Sequence, residues 1–167
     1  MAKNDIKLVD AGGRSAVPTR IFAVAASATI IYAGEPVKVE TAAGTATVIK
    51  CADGDPVIGT TLQIVGVAAK DSTNTAAAAG YVEVYTPCPN DVVWGAKPKV
   101  AGAANTQAKI DALLNDCLVL DLTSSTFTVD AAAGHGNSGG IQVVGGNPAN
   151  DEIHFVFRSD ACKTAIS

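Results

Sequence analysis

The sequence predicts an all-β fold: a small barrel or sandwich with short turns, one short helix near 106–115 and an extended N-terminal arm. Three observations carry this. Apolar and polar residues alternate in short runs, the period of a half-buried strand. The runs are separated by clusters rich in Gly, Pro, Asp and Ala, which favour tight turns. Only residues 106–115 present an apolar face at helical spacing.

Taken in order, residues 1–20 have no helical face, and Gly12, Gly13 and Pro18 break any period, so they read as the arm. Residues 21–34 form an uncharged, mostly apolar run of fourteen, too short for a bilayer span of about twenty, and read as one or two buried strands. Val37 and Val39 alternate with Lys38 and Glu40, giving a half-buried strand after the turn GEP at 34–36. Ala43 and Gly44 mark a hairpin into 45–51, and DGDP at 53–56 is a strong turn. Strands follow at 57–58 and 62–68, the second nearly continuous in apolar residues and therefore central.

A polar, then Ala-rich loop covers 71–80. In 81–86, Val82 and Val84 are expected inside, with Tyr81, Glu83 and Tyr85 outside. PCP at 87–89 ends that strand, and 92–100 adds two short ones around Gly95. The helix at 106–115 places Ile110, Leu113 and Leu114 on one face, with Asn105 or Thr106 as N-cap. Strands return at 117–122 and 126–129. After a glycine-rich loop at 134–140, closing strands at 141–144 and 153–158 are joined by the turn GGNP at 145–148. The implied organisation is an arm at 1–20, a barrel-like core at 21–100, and a helix plus closing strands at 101–167, in the same domain or as a small second lobe.

Composition narrows the function. The chain has 167 residues, 48% hydrophobic but with 30 alanines, and only 5% aromatic. Small side chains with Val and Thr suit strands and close subunit packing, and supply little for a ligand pocket. A net charge of −4 argues against nucleic acid, whose phosphates demand clustered Lys and Arg. Within 1–20, Lys3, Lys7, Arg14 and Arg20 outweigh Asp5 and Asp10, so a mildly basic arm could dock on an acidic neighbour. MAKNDIKLVD lacks the apolar core of a signal peptide. No membrane association is expected, and synthesis in the cytosol is. Cys51, Cys88, Cys117 and Cys162 are 37, 29 and 45 residues apart, which gives no zinc-ligand spacing and suits small buried side chains.

The candidate chemistry fails on what surrounds it. GNSGG at 136–140 imitates the nucleophile segment of chymotrypsin-like proteases, with Ser138 as nucleophile. That mechanism needs a base and an orienting carboxylate. In that family both precede the serine by long intervals, whereas the only histidines here are His135 and His154. Gly134, Gly136 and Gly139 spell GxGxxG, but a strand follows instead of the helix a pyrophosphate site requires. Asp53 and Asp55 lack the later ligands of a calcium loop. Asp151 and Glu152 are adjacent, would point to opposite faces of a strand, and read as solvated. His154 reads as a surface or hydrogen-bonded residue, and Trp94 as core or interface, with a carbohydrate platform as its alternative. Neither a cofactor nor a metal is expected.

Four segments carry a family likeness: GEPV at 34–37, PVIG at 56–59, GVA at 66–68 and GYVEV at 80–84. In this order, over roughly 22–100, the chain resembles the small capsid decoration (cement) proteins of tailed bacteriophages. The resemblance implies a non-enzymatic virion protein on the capsid exterior that clamps the major capsid protein of an expanded shell, self-associating, often as a trimer. The expected contact elements are the arm, with Lys3, Lys7, Arg14 and Arg20, and the loops 71–80 and 134–140, with Asp71, Asn74, His135 and Asn137. The alternative is another virion module: a head fibre, a tail part or a host-binding lectin-like domain.

Overall fold

A computed structural model describes residues 5–40, 47–58, 63–86, 90–132 and 136–162. The first strands are β1 (Lys7–Asp10), β2 (Thr19–Val24), β3 (Pro36–Val39), β4 (Val48–Lys50), β5 (Ile64–Ala68) and β6 (Gly80–Tyr85). Then come β7 (Val93–Ala96), the helix α1 (Gln107–Leu113), β8 (Cys117–Thr123), β9 (Thr126–Asp130), β10 (Ile141–Asn147) and β11 (Glu152–Phe157). The strands form two antiparallel sheets, ordered β1-β7-β11-β10-β8-β9 and β2-β6-β5-β3-β4. The fold is all-β and a sandwich; of the two forms expected, the closed barrel is excluded. The smaller sheet curls until its outer strands touch, through one parallel bridge among the described residues, Ala23 to Thr47.

Residues 5–20 run from β1 through a turn at Gly12 and Gly13 into β2, and are packed against the body. β1 pairs with β7 as the outermost strand of the larger sheet, with a register shift between Leu8 and Asp10. Two apolar residues, Ile6 and Val17, are the reason: both are buried in the main core and hold the segment down. β1 joins β7–β11 in the larger sheet, and β2–β6 make up the smaller one.

β5 is the hinge of the packing. All five of its residues are buried, as an uninterrupted apolar run demands. Ile64 and Val67 face the core shared with the larger sheet, while Val65 and Ala68 face a second core enclosed by the smaller one. Gly66, at φ +146°, makes this possible, because a Cβ there would collide with the Tyr85 carbonyl oxygen. In the main core Trp94 lies between Tyr85 and Phe157, at centroid distances of 6.1 and 6.3 Å, and Phe155 meets Phe157 edge-on at 5.6 Å.

Val82 and Val84 are fully buried, as their alternation requires. The helix is shorter than its pattern, 107–113. It is capped by Thr106, whose Oγ1 accepts from the Lys109 N–H at 3.4 Å. Ile110 is buried, whereas Leu114, one residue past the helix, is 41% exposed. β3 departs from simple alternation, since Lys38 is buried beside Val37. The expected strand at 57–58 is only a bridge from Val57 to Gly139. In 92–100 one strand forms, not two, and β2 is an edge strand with Ile21 and Ala23 exposed. The hairpin at Ala43 and Gly44 and the corner with Cys88 fall outside the described residues.

Candidate functional site

The glycine-rich loop is a joint. Gly136–Ser138 forms a 3-10 turn. The Ser138 carbonyl accepts from Ile58 N at 2.9 Å, and Gly140 N donates to Pro56 O at 2.8 Å. Arg158 Nη1 donates to the Asn137 and Gly139 carbonyls at 2.8 and 3.1 Å. The loop thus ties the PVI segment of the resemblance to the larger sheet. His154 is engaged elsewhere: its Nε2 lies 3.0 Å from Glu152 Oε1, while Lys7 Nζ meets Glu152 Oε2 at 2.5 Å.

This corrects the reading of Asp151 and Glu152 as solvated. Glu152 is only 5% exposed, and it fits because Gly95 has no side chain; a Cβ there would come within 2.7 Å of Glu152 Oε1. Asp151 accepts from Gly102 N and Ala104 N at 2.6 and 2.8 Å. Asp53 accepts from Leu122 N at 3.1 Å, and Asp55 Oδ2 takes both Lys38 Nζ and Ala52 N at 2.6 Å. Among the described residues no group of three or more His, Cys, Asp or Glu is placed to hold a metal ion.

A cluster the sequence reading missed surrounds Asp121, which is 3% exposed. Lys99 Nζ lies 2.7 Å from Asp121 Oδ1 and 3.1 Å from Asp130 Oδ2, and Thr123 Oγ1 donates to Asp121 Oδ2 at 2.5 Å. Burial works to raise the Asp121 carboxyl. The hydrogen bonds from Lys99 and Thr123 outweigh it and hold the group below the usual aspartate value. Its hydrogen bond to Asp121, followed by that to Asp130, lifts the Lys99 ammonium above its usual value. The available signal was a single carboxylate inside the apolar run LVLDL, which calls for a buried partner. The thiols of Cys51 and Cys162 are buried. Burial pushes the first well above its normal value, with Asp55 adding to the effect, and the second up to about 12, so both act as apolar side chains.

The expected contact residues separate sharply. Lys3 and His135 lie outside the described residues. Lys7 pairs with Glu152, and Arg14 Nη2 with Asp91 Oδ2 at 3.0 Å. Asp71 accepts from Ala33 N at 2.8 Å. Asn74 cannot be a surface contact, since it is 2% exposed. Its Nδ2 donates to the Ser27 and Thr29 carbonyls at 2.9 and 3.1 Å, and its Oδ1 accepts from Ser72 at 2.6 Å, so it fastens the 71–80 loop down. Asn137 is exposed, with its carbonyl held by Arg158. Arg20 is exposed, and its charge meets no partner among the described residues.

The other surface features are modest. Clefts of about 380 Å³ (Val24, Ser27, Thr29, Ile31, Glu40 and Lys50 among its walls) and 390 Å³ (Asn115 to Leu118 with Gly136 and Asn137) have no aromatic wall. Trp94, 1% exposed, is core and offers no carbohydrate platform. No helix among the described residues is long and apolar enough to cross a membrane. The chain matches no protein-family model and no curated protein.

Proposed function

We propose that this chain is a non-enzymatic bacteriophage structural protein, a capsid decoration (cement) protein that binds the outside of the expanded shell and clamps major capsid subunits as a homo-oligomer. One observation carries the reading: the segments behind the resemblance converge on a single substructure. GEPV leads into β3, GVA closes β5 and GYVEV lies in β6, three consecutive strands of the smaller sheet. PVI at 56–58 is the strut that joins this sheet to the glycine loop. Polar side chains are largely engaged in holding this body together, which suits a rigid protein-binding block. Two shell subunits held by one such block gain from effective concentration, so modest individual contacts suffice.

The test is co-sedimentation of the purified chain with expanded, undecorated shells of the phage that encodes it. Saturable binding that raises the temperature of shell disruption is the expected result. No association with those shells overturns the proposal.

A further inference from the structure

We propose that the outer edge of β2 is a strand-docking site for an extended, apolar segment of another protein that carries a carboxylate. The cement reading enters only in naming that protein, a shell subunit. The backbone supplies the first argument. Thr86 N donates to Pro18 O at 3.0 Å, and the register runs on through Arg20 opposite Val84 and Phe22 opposite Val82. Hydrogen-bonded pairs alternate along an antiparallel ladder, so residues 18, 20, 22 and 24 bond to β6. Thr19, Ile21 and Ala23 then turn their N–H and C=O groups outward. Ala23 meets Thr47, while Thr19 and Ile21 meet no strand among the described residues.

Side chains supply the second argument. Edge strands are normally guarded by charged side chains, Pro or a bulge; β2 (TRIFAV) has neither Pro nor a bulge within its bounds, and its one charge is Arg20. Ile21 is 70% exposed, and Tyr81, across from Ala23, is 55% exposed. Thr19 donates to Glu83 at 2.9 Å and Lys70 closes the same carboxylate at 2.6 Å, so that polar trio is satisfied internally. Arg20 emerges on the opposite side of the strand from Ile21, with no acid paired to it among the described residues. An incoming strand would therefore lay an apolar residue beside Ile21 and a carboxylate beside Arg20. Charge disfavours a second copy of β2 as the occupant. A two-fold pairing about Ile21 sets the two guanidinium-bearing residues at diagonal positions, roughly 7–8 Å apart, with no acid between them.

The test uses the full chain and a short synthetic peptide alternating Val and Thr with one central Asp, together with its Lys counterpart. The Asp peptide should slow amide exchange at Thr19 and Ile21. Arg20→Glu should weaken it by about tenfold or more and favour the Lys peptide instead. Ile21→Pro, which removes an outward donor without touching the ladder to β6, should abolish both effects; thermal melting checks that each variant is folded. Lack of protection by the Asp peptide, or equal protection by both peptides, overturns the proposal. So does a wild-type dimer that Ile21→Pro converts to monomer, since a second copy then occupies the edge. Undecorated shells separate the two readings. Shells bound equally by wild type and Arg20→Glu overturn this edge as the shell contact and leave the cement reading standing. Shells that ignore wild type, with the peptide result intact, do the reverse.

Discussion

The larger sheet buries Trp94, Phe127, Phe155 and Phe157 in the main core, whereas the core of the smaller sheet holds one aromatic ring, Phe22, among valines, isoleucine and alanine. The two therefore reach close packing by different routes. The larger sheet fills its interior with wide rings in tilted and edge-on contact. The smaller one brings backbones together, with Gly66 against Tyr85 as the extreme case. Apolar area sets the hydrophobic driving force, so most of the stability resides in the larger sheet. The smaller sheet is carried by that support, and its edge strand β2 is the one that exposes Ile21.

The largest effect should come from the rings. Trp94→Ala is expected to destabilise by about 3–5 kcal/mol, and Val82→Ala in the small core by about 2 kcal/mol. Urea unfolding with an unchanged m-value is the measurement; equal losses at the two sites would break the asymmetry. Gly66→Ala tests the seam. The added Cβ meets backbone, and a positive φ is strained for alanine, so a loss of about 2–4 kcal/mol is expected. A variant as stable as wild type would show that the two cores do not depend on this close approach.

The same contrast explains what could be read from sequence. Val82 and Val84 announced their burial because alternation is local, and Thr106 announced the helix start because a cap lies three residues from the N–H it accepts. Ile6 and Val17 gave no such sign; neither belongs to a clear apolar period, and their partners belong to strands far along the chain. Glu152 looked solvated because its partner Lys7 is distant in sequence and because Gly95, which makes room for it, resembles a turn residue. Of the expected contacts, Asn74 failed because its partners are backbone carbonyls at 27 and 29, invisible to any pattern of side chains. Arg20 remained because nothing in the described fold answers its charge.

Ion pairs give the finest comparison, since each sheet carries one that holds a carboxyl below its usual value. For Glu83 the cause is first the hydrogen bond from Lys70, then that from Thr19; for Asp121 the bonds from Lys99 and Thr123 overcome burial. A carboxyl held low contributes stability that is complete above its unfolded value, about 3.9 for aspartate, and that disappears as pH falls through the lower folded value. Asp121→Asn should therefore cost about 1 kcal/mol at neutral pH, and the gap to wild type should close in acid below that window. Lys70→Met should do less. The Lys70 side chain is 74% exposed, so the pair is already screened and water takes the place of Lys70 beside Glu83 in the variant. Its melting temperature should match wild type at neutral pH and in acid alike. A Lys70→Met variant that loses as much as Asp121→Asn would show that the outer face of the small sheet is held by charge, and would erase the distinction between the two sheets.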